Sequence, residues 1–161
     1  MFKIETEDKN LFLRKVSKEI DKKDFKKYRK LWEEMVKYVK NPKHKSIWLA
    51  APQIEIWKRL IAVWLPHNNE DENYKVIYMI NPEILEHSTD QVLAEEWCLS
   101  VPWYFWEVKR FRSLKLEYYD SKWKKYVRKL TDFAARVVQH EIDHLDWILF
   151  TDKASNIEFA E

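Results

Sequence analysis

The hexapeptide "QHEIDH", residues 139–144, places His140 and His144 four residues apart. On a helix, at about 100° per residue, such side chains lie within about 40° of each other on one face. Imidazoles at that spacing can grip one metal ion, and Glu141 stands beside them as a general base for metal-assisted hydrolysis. The chain has only five His; the plain alternative is a pair of core or surface histidines. A catalytic metal site typically takes three protein ligands and keeps a fourth position for water. A downstream Glu ligand could come only from Glu158 or Glu161, and position 150, where a third His would serve, is Phe150. The remaining soft ligand is Cys98, the single cysteine. Its thiolate with two imidazoles would form an N₂S site, in which the metal keeps the sulfur deprotonated. Otherwise a lone Cys is a small buried hydrophobe.

These residues need elements to hold them. The span 131–147, "TDFAARVVQHEIDHLDW", reads as the helix that carries the motif, with Thr131 or Asp132 as N-cap. Residues 22–40 place Phe25, Tyr28, Trp32, Met35, Val36 and Val39 at helical spacing among Lys and Glu, which predicts an amphipathic helix ended by Asn41-Pro42. "RLIAVWLP" (59–66) and "KVIYMINP" (75–82) read as strands, with the polar 66–73 as the loop between them. Residues 113–120 and 124–130 alternate like an antiparallel hairpin turned by "DSKW". The last nine residues read as a short helix or a frayed end. The expected class is α+β: antiparallel or mixed sheets around a central helix carrying the metal motif, plus an N-terminal amphipathic helix, in a single domain over residues 1–161.

Composition narrows the function classes. Of 161 residues, 46% are hydrophobic and 35% charged, a globular balance, and the formal charge is only +2. That charge gives no ground for DNA binding. One cysteine excludes an internal disulfide, which points to a reducing compartment. The first residues lack an apolar signal core, and no apolar run reaches the roughly 20 residues of a membrane span. The expectation is a cytoplasmic protein with no membrane partner.

Three segments then carry a resemblance. "LAAPQ" (49–53), "E-x-CLSVP" (96–102) and "QHEIDHLDWILFTDK" (139–153) are similar, in order and spacing, to the signature segments of the peptide deformylases, and "LFLRKVSKEI" (11–20) resembles that family's N-terminal segment. The resemblance implies that Cys98, His140 and His144 bind the metal and that Glu141 is general base and later acid. Gln53 and the backbone N–H of Leu99 would stabilise the oxyanion, while Glu96 and Arg110 would form a supporting ion pair. Ile47, Trp48, Glu96, Trp97, Phe133 and Val137 are the candidates for contact with substrate, some of them around an apolar slot for a methionine side chain. The implied reaction removes the N-formyl group from N-formylmethionyl nascent peptides, releasing formate. The implied metal is Fe²⁺, with Zn²⁺ or Ni²⁺ as substitutes. Ribosome contact is a weaker implication, because the chain ends in the acidic "NIEFAE".

The departures from the family share one form. The chain has no Gly and nine Trp, where an average composition of about 7% would give about 11 Gly. Trp48, Trp97 and Trp147 stand where the family pattern has Gly, and Trp103, Trp106 and Trp123 at positions commonly Gly. Trp cannot take positive φ cheaply and leaves no room for a substrate backbone. One reading is that UGA codons meaning glycine stand here as tryptophan, which suits the Lys excess of an AT-rich gene. The others are deliberate Gly→Trp replacement and a decayed, inactive homologue. Two further functions compete with a deformylase: a zincin-type metallopeptidase that cleaves unformylated peptides, and a metal-stabilised scaffold or RNA-binding module using the Lys-rich 22–40 helix.

Overall fold

The computed structural model describes residues 3–6, 10–44, 46–66 and 74–154, without the side chain of Trp103. The 66–73 loop, apart from Pro66, and the end of the chain, including Glu158 and Glu161, lie outside the described residues. The elements in order are α1 (Arg29–Lys40), β1 (Trp48–Ala50), β2 (Leu60–Pro66), β3 (Tyr74–His87), β4 (Gln91–Cys98), β5 (Val101–Phe111), β6 (Ser113–Tyr119), β7 (Lys125–Thr131) and α2 (Asp132–Leu145). Short 3₁₀ turns occupy Phe25–Tyr28, Pro42–His44, Ala51–Ile54 and Phe150–Asp152. The fold is α+β. Five strands form one sheet in the order β1-β2-β3-β6-β7, and β4 pairs with β5 in a second. Every strand pair is antiparallel; the expected mixed pairing reduces to one isolated parallel bridge between Lys18 and Lys58.

The five-stranded sheet has apolar side chains on both faces. On β2, Ile61, Val63 and Leu65 join one buried cluster, while Leu60 and Ala62 join another. This is the period-2 alternation of a strand whose two faces are both covered. The first cluster includes Ala135, Val138, Ile142 and Leu145 of α2, spaced three and four apart. The second includes Trp32, Met35 and Val39 of α1. Helix α1 is amphipathic, but the expected 22–40 helix is shorter: residues 25–28 wind as 3₁₀ and only Arg29–Lys40 as α-helix. Helix α2 is different, with every residue from Ala135 to Leu145 buried. A helix covered on all sides must satisfy its polar side chains within the protein, and α2 carries Arg136, Gln139, His140, Glu141, Asp143 and His144.

Two local features differ from the sequence reading. Thr131 is the N-cap of α2 but its hydroxyl caps no N–H; Asp132, left-handed at φ 51°, pairs with Arg112 instead. Strand β3 does not stop at Pro82. It continues to His87 through irregular register against β6. Asn81 takes φ 50° there, its side chain bonding both the N–H and the C=O of Ile20 at 2.9 Å.

Candidate metal and catalytic site

The site forms where β4 ends against α2. Cys98 closes β4, and a two-residue turn of Leu99 and Ser100 leads into β5. A small cluster of Leu13, Val101, Val108, Leu149 and Phe150 seats the cysteine. One ligand atom each from Cys98, His140 and His144 lies within 4.8 Å of the others, and Cys98 Sγ stands 3.2 Å from His144 Nε2. All three residues are buried, and Glu141 is wholly so.

Donor chemistry tests whether these residues suit a metal. His140 donates its Nδ1–H to Glu96 Oε2 at 2.9 Å, which fixes the ring and leaves the Nε2 lone pair for an ion, as carboxylates behind metal-binding histidines do. His140 Nε2, His144 Nδ1 and both Glu141 carboxylate oxygens are buried without a hydrogen-bond partner. Each such atom costs about 1–3 kcal/mol if left unsatisfied. His140 Nε2 and the Glu141 oxygens, beside Cys98 Sγ and the His144 Nε2 that faces it, fit a divalent ion and its water, and an N₂S set suits Zn²⁺, Ni²⁺ or Fe²⁺. Burial, followed by the Glu141 charge, pushes the Cys98 thiol up to about 12; a bound cation would reverse that preference. Burial and then Glu96 raise the Glu141 carboxyl well above its usual range. Burial and the neighbouring His140 hold His144 well below the usual imidazole range.

Behind this cluster lies a buried charge network. Arg110 donates two 2.9 Å hydrogen bonds to Glu96 in a bidentate fork and also pairs with Asp143. Arg136 adds a 2.7 Å bond to Glu96 and a 2.9 Å bond to the Val108 carbonyl. Lys153 reaches Asp143 at 2.7 Å. Burial would raise the Glu96 pKa, but hydrogen bonds from Arg110 and His140 outweigh it and hold the group well below the usual carboxylate range. The network ties β4 and β5 to α2 and sets the angle of His140.

Gln53, in the 3₁₀ turn after β1, accepts the Ala50 N–H at 2.8 Å through Oε1. This aims its Nε2 at the site, 3.0 Å from Ser100 Oγ and 3.6 Å from Cys98 Sγ. A pocket of about 110 Å³ adjoins His140, lined by Trp48, Glu95, Glu96, Trp97, Phe133, Arg136 and Val137. Six of the sequence candidates therefore meet there or at the ligands' backing: Trp48, Glu96, Trp97, Phe133, Val137 and His140. Ile47 is absent from that lining; its carbonyl accepts the Trp64 N–H and extends the β1–β2 pairing. Sequence reading missed Arg136, Asp143 and Ser100. A charged residue one turn before His140, in the apolar "AARVV", was the available signal for Arg136.

The family profile described as "Polypeptide deformylase" matches residues 1–160. The peptide deformylase of Bartonella tribocorum is 38% identical over 146 residues, 91% of this chain and 80% of its own. The crystal structure of a probable peptide deformylase from Synechococcus phage S-SSM7 superposes with a TM-score of 0.83 at 39% identity, covering 95% of this chain and 99% of that one. That of the Thermotoga maritima peptide deformylase gives 0.82 at 33% identity, covering 97% and 99%.

Proposed function

The chain belongs to the peptide deformylase family, enzymes that remove the N-formyl group from nascent peptides, and from that premise we propose how its own residues perform the reaction. Cys98, His140 and His144 hold one divalent ion, by family resemblance Fe²⁺, with Zn²⁺ or Ni²⁺ as substitutes. Such an ion acts as a Lewis acid and makes a water acidic enough to attack near neutral pH. Glu141 takes a proton from the attacking water, and its buried, proton-favouring carboxyl then holds it. The new C–O bond turns the formyl carbonyl into an oxyanion. The Gln53 Nε2–H and the Leu99 N–H donate to that oxygen. Glu141 passes its proton to the amide nitrogen, the C–N bond breaks, and formate and a free amine leave. Glu96, braced by Arg110 and Arg136, keeps His140 oriented throughout. Phe133, Val137 and positions 48 and 97 border the methionine side chain.

The observation that carries this reading is the convergence of Cys98 Sγ, His144 Nε2 and His140 Nε2, with both Glu141 oxygens buried and without a hydrogen-bond partner among the described residues. The test is formate release from a formyl-Met dipeptide by metal-loaded protein, wild type against Glu141→Ala. Release that survives Glu141→Ala undiminished, or cleavage of unformylated peptides instead, would sink it.

One observation supports ribosome contact as well. A groove of about 940 Å³ beside α1 is lined by Lys26, Arg29, Lys37, Lys40 and Lys122, with Phe25, Trp32 and Tyr78 among them. Clustered cations suit an RNA backbone.

A further inference from the structure

We infer that the working protein carries glycine, not tryptophan, at positions 48, 97, 123 and 147. For positions 123 and 147 this rests on the backbone alone. For 48 and 97 it also rests on the deformylase site described above.

Five described residues have φ in the left-handed region: Glu55, Asn81, Trp123, Asp132 and Trp147. Asn and Asp visit that region with their short polar side chains, whereas for a bulky residue it is a true outlier. Two of the five are nevertheless Trp, in a chain with no Gly at all. Both occupy motifs defined by that conformation. After α2, the Ile148 N–H bonds the Asp143 carbonyl at 2.9 Å and the Trp147 N–H the His144 carbonyl at 3.4 Å, with Trp147 at φ 63°. That is the Schellman pattern, whose left-handed residue is usually Gly. Between β6 and β7 the Trp123 N–H bonds the Asp120 carbonyl and the Asp120 N–H the Lys124 carbonyl, both at 2.9 Å, with Trp123 at φ 60°. A type I turn followed by one left-handed residue is the three-residue hairpin that places Gly there. The Trp123 ring does find partners, stacking on Tyr119 at 4.7 Å, so it is the backbone and not the ring that objects.

Trp97 sits where the β4–β5 register breaks, between Glu96 and Cys98, and an irregularity next to an active site is a usual place for Gly. Its ring lies 6.1 Å from that of Trp48, which in turn stands 5.9 Å from Phe133 and 6.5 Å from His140. The two indoles fill the entrance beside the metal ligand and leave about 110 Å³, far below the roughly 300–1,000 Å³ of ordinary ligand pockets.

Other tryptophans behave as tryptophans. Trp57 donates its indole N–H to the Phe12 carbonyl at 2.8 Å and carries Lys15 over its ring at 4.1 Å. Trp32 is buried and stacks flat on Tyr78. Trp106 packs against Phe150 from an ordinary strand position. A codon read as glycine in the native host and as tryptophan elsewhere accounts for such a split, since UGA and UGG can then stand for different residues.

Peptide masses of the protein purified from its own organism decide the assignment. Tryptic peptide 46–58 should weigh as glycine at 48 with tryptophan retained at 57, and peptide 137–153 as glycine at 147. Tryptophan at 48 and 147 would overturn the inference. Recombinant protein supplies independent readouts. Trp123→Gly and Trp147→Gly should each raise Tm by about 2–4 °C, and should exceed Trp123→Ala and Trp147→Ala, the reverse of the usual order. Alanine matching glycine would overturn the backbone part. Trp48→Gly with Trp97→Gly should raise kcat/KM for a formyl-Met peptide at least 100-fold at equal metal content. An unchanged kcat/KM in protein that does release formate would overturn the slot. If neither form releases formate when metal-loaded, the reading of the reaction fails, while masses and Tm order still decide the glycine assignment.

Discussion

At the scale of single residues, the site depends on a division of labour between atoms that touch the reaction and atoms that aim them. In the proposed reaction Glu141 carries the proton, so Glu141→Gln should keep the shape and lower kcat by about 10²–10⁴, with metal content unchanged by elemental analysis. Glu96 acts through His140 in the proposed reaction. Its oxygen holds His140 Nδ1 at 2.9 Å, and losing such a partner typically weakens metal binding 10–100-fold. Glu96→Gln should therefore raise the metal dissociation constant by that factor in a chelator competition, and activity should recover when excess metal is supplied. A Glu141 variant should not recover, which separates the two roles.

At the scale of elements, the β4–β5 pair is held to α2 largely by charge. Arg110 bridges Glu96 of β4 and Asp143 of α2, and its own charge, which burial opposes, is held firmly by those partners. Removing one side of a buried pair strands the other, at about 3–5 kcal/mol. Arg110→Met should lower denaturant stability by about that amount, whereas Arg112→Met, at an exposed pair with Asp90, should leave it nearly unchanged. The same network explains what the sequence disclosed and what it hid. Helix α2 was readable because the His spacing and the apolar positions both repeat at the helical period. Strands β2, β6 and β7 alternate plainly. Strands β4 and β5 do not announce themselves: Glu96 and Arg110 are buried polar residues where a pattern reading expects apolar ones. Strand β1 has three residues, too few for any period. Pro82 reads as a stop, yet β3 absorbs it because Asn81 turns left-handed and ties down Ile20. The cluster of Cys98, His140 and His144 was legible from type and spacing. Arg136, Asp143 and Ser100 were not, since their partners are brought close only by folding.

At the scale of the whole molecule, an ion held at this cluster would join parts of the chain that are distant in sequence. Cys98 comes from the two-stranded sheet and the two histidines from the helix beneath the five-stranded one. An ion bound only by the native state stabilises it by RT ln(1 + [L]/Kd), about 4 kcal/mol at a thousandfold excess over Kd. For a chain of this size that is on the order of 10 °C in Tm. Chelation should remove that increment, and Cys98→Ser should remove most of it even with metal present.

Charge distribution matters at this scale as well. The formal net charge of +2 hides an uneven surface. The groove beside α1 gathers Lys26, Lys37, Lys40 and Lys122, while its Arg29 is partly neutralised by Glu33 at 3.0 Å. Each cation that meets a phosphate displaces a counterion, so binding should fall with salt at a log–log slope of about 0.7–0.9 per contact. Contacts from Lys26, Lys37, Lys40 and Lys122 give a slope near −3. Cosedimentation with ribosomes across a salt series should show that slope, and Lys26→Glu with Lys37→Glu and Lys40→Glu should abolish pelleting. The same triple variant should keep kcat/KM on a formyl-Met dipeptide, because α1 lies on the opposite face of the sheet from α2. Salt-independent pelleting, or loss of peptide hydrolysis with the lysines, would show that this face does not dock RNA.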